Sequence, residues 1–426
     1  MIAALFLIFF GLMVLGVPIA AAMGLGLFAN SVFGGSVSLL FLGRGIVSSM
    51  DSFPILAVPI FIFAGEVMAT GGISRRLFNF ANACVGGFTG GVPMATVFTC
   101  MLFGAISGSG AATFAAVGTI MIPIMTRQGY DRRFITALTA ASGGLGVLIP
   151  PSLPMVMYGV SSGESIGDLF LAGVFPGILC GVALMFYAHV FSRAHPVVLD
   201  DSQEPRMGIL KALIDGIWAL LCPVVIIGGI YSGIFTATEA AGVAALYGIL
   251  VSLLIYRTIK ITDIPGILLR AARLNAPILI IVAVATVFGR VLAIQNIPST
   301  ITTAILKFTD NRILIIVLIN IILLVAGMFL DTLAAIVVLC PILLPIAVGI
   351  GLNPIHFGTI MVANLAIGFV TPPVGCNLYA AAGITGIPIK DILKAVVGPV
   401  IALLVCQVFI IVIPGLSTWL PALAKK

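Results

Sequence analysis

Apolar residues run along this chain in blocks of about 20, the length a helix needs to cross a lipid core. Residues 2–28, 54–69, 169–190, 214–231, 240–256, 276–294 and 389–414 read as such spans. A loop carrying Arg44 and Asp51 separates the first two. The stretch Ile73–Val85 has a different pattern: Ile73, Leu77, Phe80, Ala81 and Cys84 recur at helical spacing, and Ser74, Arg75, Arg76, Asn79 and Asn82 fall between them. That pattern predicts an amphipathic helix lying on the membrane surface or bracing another part of the protein.

Four further stretches have the length of spans but are interrupted. Residues 93–125 contain the polar, glycine-rich ISGSG at 106–110. Each arm on either side is then about 13–15 residues, or about 20–23 Å of helix, short of a core of about 30 Å. A straight helix with small residues at a packing face is the alternative. Glycine–serine clusters form helix poorly, which favours a re-entrant hairpin with its tip near mid-membrane. Residues 312–348 repeat the form, with a tip around 327–332. Residues 134–162 contain SGGLGVLIPPS at 142–152, and residues 356–384 are interrupted around 368–375. A double proline removes backbone donors, so both helices should break there. Open backbone at that depth is tolerated only where it lines a cavity or binds something.

The interruptions keep one register. Pro123 pairs with Pro345, Gly129 with Gly351, Gly146 with Gly368, and Pro150-Pro151 with Pro372-Pro373, each 222 positions apart. Two structural copies follow, residues 1–194 and 212–426, joined by a polar linker at 195–211. The loop RQGYDRR at 127–133 is rich in arginine, and its partner GIGLNPI at 349–355 has no charge. Arginine and lysine mark the cytoplasmic side, so the copies should be inverted. Inverted repeats with broken helices meeting at the midplane are the pattern of a secondary transporter, with a channel as the alternative.

Composition agrees. The chain is 61% hydrophobic and 8% charged, whereas soluble domains carry roughly 25% charged residues. The fold class is therefore all-α and polytopic. The net charge of +6 does not imply nucleic acid, because the basic residues sit in short loops. The seven cysteines form no CxxC pair and read as small core hydrophobes. The first apolar run lacks a basic leader and reads as a retained helix.

The interrupted segments hold the candidate chemistry. Ser107 and Ser109 lie at the first tip, and Asp331 stands at the position equivalent to Ser109 in the second. A carboxylate at that depth costs roughly 2.5–3.5 kcal/mol, so it is expected to face a cation or a wet cavity. The broken helices add Ser142, Ser152, Asn364, Thr371 and Asn377, and free carbonyls around 143–150 and 368–372. Rings of such oxygens suit Na⁺, and helix N-termini at the same breaks suit an anionic group. A hundredfold accumulation costs about 2.7 kcal/mol, and one charge crossing 100 mV supplies about 2.3 kcal/mol. A monoanion therefore needs at least two Na⁺. A membrane-embedded hydrolase is disfavoured: neither Ser107 nor Ser109 has the glycine two positions earlier that a GxSG elbow requires. There is also no HExxH and no GxxxxGK[ST], and His189, His195 and His356 are the only histidines.

GSGAATFAAVGTIMIPIM at 108–125, GYDRRF at 129–134, GGLGVLIPPS at 143–152 and GIFTATEAA at 233–241 resemble the large membrane subunit of tripartite ATP-independent periplasmic (TRAP) transporters. The resemblance covers essentially the whole chain, with Ala237 departing from a proline often found there. It implies an elevator, in which a transport domain carrying both hairpins slides against a scaffold domain in the bacterial inner membrane. It implies a periplasmic substrate-binding protein and a separate small four-helix membrane subunit as partners. Family Na⁺ positions correspond to Ser107, Ser109, Gly143 and Gly146 in the first half, and to Gly327, Asp331, Thr332, Thr371 and Pro372 in the second. Ser107 and Ser152 correspond to substrate carboxylate contacts, and Asp331 is a further candidate contact. GVLIPPSLPMVMYG at 146–159 is most similar to sialic-acid members, with C4-dicarboxylates and other organic acids as the alternatives.

Overall fold

The computed structural model describes residues 2–33, 37–197, 207–309 and 311–424. All regular structure among them is helical, and nine of the helices are long and apolar enough to cross a membrane. Ile73–Val85 is a helix with the expected bounds, with Ile73, Leu77 and Ala81 buried. Arg76 stacks 3.7 Å above the Tyr256 ring and lies 3.6 Å from Asp215. The helix therefore braces a neighbour with one face and exposes Arg75 on the other.

Several expected bounds are corrected. The run at 2–28 is two helices, Ile2–Val14 and Ile19–Val32. Gly16 turns the chain at φ +80°, and Pro18 caps the second helix. Hydrophobicity hid the turn, because Gly16 and Pro18 sit inside an unbroken apolar run. The expected loop around Arg44 is a helix, Leu39–Met50, opened by the Ser38 hydroxyl accepting from the Phe41 amide. It docks through Gly45 against Val287 and through the Ser49 hydroxyl, 3.3 Å from the Ala283 carbonyl. The span expected at 276–294 starts earlier, as Ile264–Ile294. Ile297–Phe308 and Gly415–Ala424 are helices where none was predicted. Of the linker at 195–211, residues 198–206 lie outside the described residues, and Ile209–Tyr231 is already helical within its end.

The interrupted stretches fold as their punctuation dictates. The first hairpin is Gly91–Ser107 and Gly110–Arg127, and the second is Arg312–Phe329 and Thr332–Gly349. Their arms are 17 or 18 residues, or about 26–27 Å at the helical rise, longer than the 13–15 residues expected, and three of the four are among the nine helices long enough to cross. Gly108 makes the first tip at φ +62°, a region that favours glycine. The broken helices are Arg132–Gly143 with Leu153–Ser162, and Pro354–Gly368 with Cys376–Thr385. Both breaks contain a cis Pro–Pro bond.

The element bounds keep the spacing seen in the sequence. Gly110–Arg127 and Thr332–Gly349 start and end 222 residues apart, and Arg132 and Pro354 open equivalent helices. The caps correspond too: Ser109 with Asp331, and Asp131 with Asn353. The unpredicted helix Ile297–Phe308 is the counterpart of Ile73–Val85. Where the two broken helices meet, Ala141 and Ala363, Gly144 and Ala366, and Leu145 and Ile367 line one gap of about 10 Å³. The return arm of each hairpin packs on the far segment of the other half's broken helix: Thr332–Gly349 on Leu153–Ser162, and Gly110–Arg127 on Cys376–Thr385.

Glycines let hairpin and break touch backbone to backbone. A Cβ on Gly104 would lie 2.7 Å from the Gly146 Cα, and one on Gly368 would lie 2.5 Å from the Gly327 Cα. Neither backbone can yield as a side chain would. Gly368→Ala is therefore expected to destabilise the protein by about 1–3 kcal/mol, an overpacking effect. Gly242→Ala, with nothing within 4 Å of the new methyl, should be neutral or gain up to about 1 kcal/mol. Thermal unfolding in detergent distinguishes them, and equal melting temperatures would contradict the close crossing.

Candidate functional site

Each hairpin tip ends one helix and starts another, so free carbonyls and free amides lie side by side. At the first tip Ser107 is buried at the end of its helix. Its hydroxyl lies 2.8 Å from the Thr113 hydroxyl and 3.3 Å from the Ser109 carbonyl. Ser109 opens the return helix, its hydroxyl accepting from the Ala112 amide at 3.4 Å. The first break closes over this group. A side chain at Gly146 would strike the Thr113 hydroxyl and come within 2.8 Å of the Ser109 carbonyl. One at Gly143 would come within 3.1 Å of the Gly110 carbonyl and 3.2 Å of the Asn377 side-chain nitrogen. Ser107, Ser109, Gly143 and Gly146, named from sequence, are thus brought together.

Two members of this group were not assigned to it from sequence. Thr113 sits four residues into the return helix, where a lone threonine reads as ordinary packing. Asn377 belongs to the second half, and its amide donates to the Ala140 carbonyl at 3.1 Å across the two halves. Its Oδ1 is buried without a partner. The 222-residue spacing equates Thr113 with Ala335, which has no polar side chain, so the repeat carries no signal for it.

Ser152 is buried and caps the helix Leu153–Ser162. Its hydroxyl donates to the Val147 carbonyl and accepts from the Met155 amide at 3.3 Å. The next amide, Leu153, donates to the Gly108 carbonyl at 3.1 Å. Ser152 therefore stands beside the first tip with both roles of its hydroxyl engaged by backbone.

At the second tip Asp331 caps the return helix, accepting from the Leu333 amide at 3.0 Å, and is exposed. Thr332 beside it is buried, and its hydroxyl has no partner. Gly327 abuts Gly368, and a Cβ there would lie 3.0 Å from the Leu365 carbonyl. Gly375 donates to the Met328 carbonyl at 3.0 Å, tying break to tip. The Thr371 hydroxyl donates back to the Ile367 carbonyl at 2.6 Å, and Pro372 is exposed. The structure thus joins Gly327 to the second break, with Asp331 and Thr332 four and five residues further along the chain and Thr371 and Pro372 on the break itself.

The donor set is made of hard oxygens: hydroxyls, carbonyls and one carboxylate. That set fits Na⁺, which needs no thiolate or imidazole. Buried oxygens without partners include Thr332 Oγ1 at the second tip and Asn377 Oδ1 just past the second break, and such atoms normally have one. Among the described residues no three His, Cys, Asp or Glu gather into a metal cluster. His356, the one buried histidine, is bonded to the Ser417 hydroxyl at 2.6 Å, not to Ser107 or Ser109.

Comparison with known proteins adds to this geometry. Residues 6–416 match the family model described as tripartite ATP-independent periplasmic transporter, DctM component. Over 96% of its length the chain is 44% identical to the isethionate TRAP transporter permease protein DctMQ of Oleidesulfovibrio alaskensis, of whose length it spans 64%. It is 41% identical to the C4-dicarboxylate TRAP transporter large permease protein DctM of Pseudomonas aeruginosa, covering 88% of each chain. It is 35% identical to the sialic acid TRAP transporter large permease protein SiaM of Vibrio cholerae, covering 97% of this chain and 96% of that one. The solved structure of the Alcanivorax borkumensis YdaH transporter shares the fold, with a TM-score of 0.64 and 13% identity over 88% of this chain and 89% of that one.

The Asp331 cap separates charge from structure. Asparagine caps as well as aspartate, while alanine loses about 1 kcal/mol. Asp331→Asn should therefore melt with the native protein and Asp331→Ala below it. A clear drop in the asparagine variant would show that the negative charge itself holds the fold.

Proposed function

The chain belongs to the DctM-component family of TRAP transporters, and from that premise we propose that it carries an acidic organic solute into the cell by Na⁺-coupled secondary transport. It is a multi-pass protein of the bacterial inner membrane, and a transporter subunit rather than an enzyme. The observation that carries the proposal is the pairing of each hairpin tip with a helix break, with unpartnered buried oxygens at both. Na⁺ would be held by Ser107, Ser109, Thr113, Gly143, Gly146 and Asn377 in the first site. In the second it would be held by Gly327, Asp331, Thr332, Thr371 and Pro372. An ion at either place joins a tip to a break, so filling both would close the hairpins over the solute.

The acid would lie between the tips, with Ser107, Ser152 and Asp331 nearest. For Ser152 to donate to it, the bond to Val147 must open. Asp331 would act through its Na⁺, since a carboxylate repels an anion. The two half-sites differ in exposure: Ser107 and Pro150-Pro151 are buried, with Gly65 packed on Ser107, while Asp331 and Pro372-Pro373 are exposed. This difference supports an alternation in which one tip is sealed against the helix Ala57–Thr70 while the other is open. An elevator movement of the hairpin-bearing part against the remaining helices is the proposed form of that alternation. A periplasmic binding protein delivering the acid and a small membrane subunit bracing the static part would complete the tripartite system. The higher identities to the isethionate and C4-dicarboxylate relatives favour a short acid. Sialic acid, expected from the motif at 146–159, is the second reading, supported by the full-length match to SiaM.

Proteoliposomes holding this chain with its small subunit and binding protein test the proposal. Uptake of labelled isethionate, succinate or sialic acid should require external Na⁺ and proceed without nucleotide. Thr113→Val should raise the Na⁺ concentration for half-maximal uptake about tenfold, equivalent to about 1.4 kcal/mol of ion binding. Uptake undiminished when K⁺ replaces Na⁺ would overturn the coupling.

A further inference from the structure

Away from both tips, a cleft of about 300 Å³ opens where the first hairpin is rooted. Ile122, Thr126 and Arg127 from the return arm, Arg132 from the next helix, and Ile384 and Thr385 from the end of the second broken helix line it. Arg132 donates to the Thr385 carbonyl at 2.9 Å, and Arg127 bonds only its own helix, Nε to the Pro123 carbonyl at 3.4 Å. The neighbouring carboxylates are engaged elsewhere. Asp131 accepts from the Arg133 and Phe134 amides, and Asp391 lies 3.8 Å from Arg133. Among the described residues neither Arg127 nor Arg132 forms an ion pair. Two exposed guanidiniums therefore face one cleft with most of their donors unused, a fork geometry that matches carboxylate or sulfonate oxygens.

The cleft is one-sided. The positions equivalent to Arg127 and Arg132 are Gly349 and Pro354, so the second half has no counterpart. It is also connected to the first tip. Ala111, Ala115, Thr119, Pro123 and Arg127 are exposed at every fourth position along the return arm, one face of a single helix. Small side chains line that face from the tip to the cleft, about 25 Å away at the helical rise. We propose that this cleft is a second anion site, which receives the carboxylate or sulfonate of a small organic acid on the arginine-rich face of the membrane. It rests on the transport reading for the identity of the acid, and on its own geometry for the binding.

The same chemistry could recognise an acidic lipid headgroup, and the experiment separates the two. The purified chain in phosphatidylcholine nanodiscs is treated with p-hydroxyphenylglyoxal, which modifies free guanidiniums, and each arginine is followed by peptide mass spectrometry. Sodium succinate or sodium isethionate should slow modification of Arg127 and Arg132 at least threefold relative to sodium chloride at equal ionic strength. The exposed Arg75 should be unaffected. In Arg127→Gln, protection of Arg132 should fall to less than half while the protein still purifies and melts normally. Protection at neither arginine, protection equal at Arg75, or protection only by phosphatidylglycerol nanodiscs without added acid would overturn the proposal. A chain that shows the protection but moves no acid in proteoliposomes would remove the transport reading and leave the anion site standing.

Discussion

A peptide group at lipid depth has no water to bond, and that constraint decides most of this structure. Four helices end at Ser107, Gly143, Phe329 and Gly368, where the chain turns or breaks before a new helix starts. Each leaves carbonyls open, and each restarting helix leaves amides open. The chain meets part of this need with its own side chains, as when Ser109, Ser152 and Asp331 cap the restarting helices. Tip-to-break bonds such as Leu153 to Gly108 and Gly375 to Met328 meet more of it. Beside these ends two buried side-chain oxygens, Asn377 Oδ1 and Thr332 Oγ1, are without partners, and an ion would be welcome there. On the proposed reading, an ion would complete what helix capping leaves open.

The same constraint explains what could be read from sequence. Glycines and prolines that interrupt apolar runs stand out, so both hairpins, both breaks and their common register were legible, and with them the tip serines Ser107 and Ser109, whereas Gly143 and Gly146 were singled out only through the family resemblance. The turn at Gly16–Pro18 was not, because glycine and proline within one apolar run do not reveal whether the helix bends or ends. The helices Leu39–Met50 and Ile297–Phe308 were missed because each is short and partly polar, a pattern that fits a loop until its packing partner is known. Applying the 222-residue spacing to Ile73–Val85 would have predicted the second of them. Asn377 was visible as a polar residue at a break, yet its reach to Ala140 depends on how the halves cross, which no local pattern encodes.

Ser109 and Asp331 show how equivalent positions diverge without losing their structural role. Both open a return helix, and both accept a backbone amide. Only Asp331 carries charge, and only its tip is exposed. The loops RQGYDRR and GIGLNPI diverge in the same way: Asp131 and Asn353 cap equivalent helices identically, while arginines surround one and not the other. Backbone geometry constrains the cap, and electrostatics is free to vary around it. Equivalent positions can thus differ in charge while the caps they form stay the same.

The crossed packing of return arms has a consequence for biosynthesis. Gly110–Arg127 rests on Cys376–Thr385, which the ribosome delivers some 250 residues later, at roughly 5–20 residues per second. For many seconds the first hairpin must sit in the bilayer, or beside the insertion machinery, without its final neighbour. Its amino-terminal half cannot mature on its own schedule, and assembly waits for about the last eighth of the polypeptide to arrive.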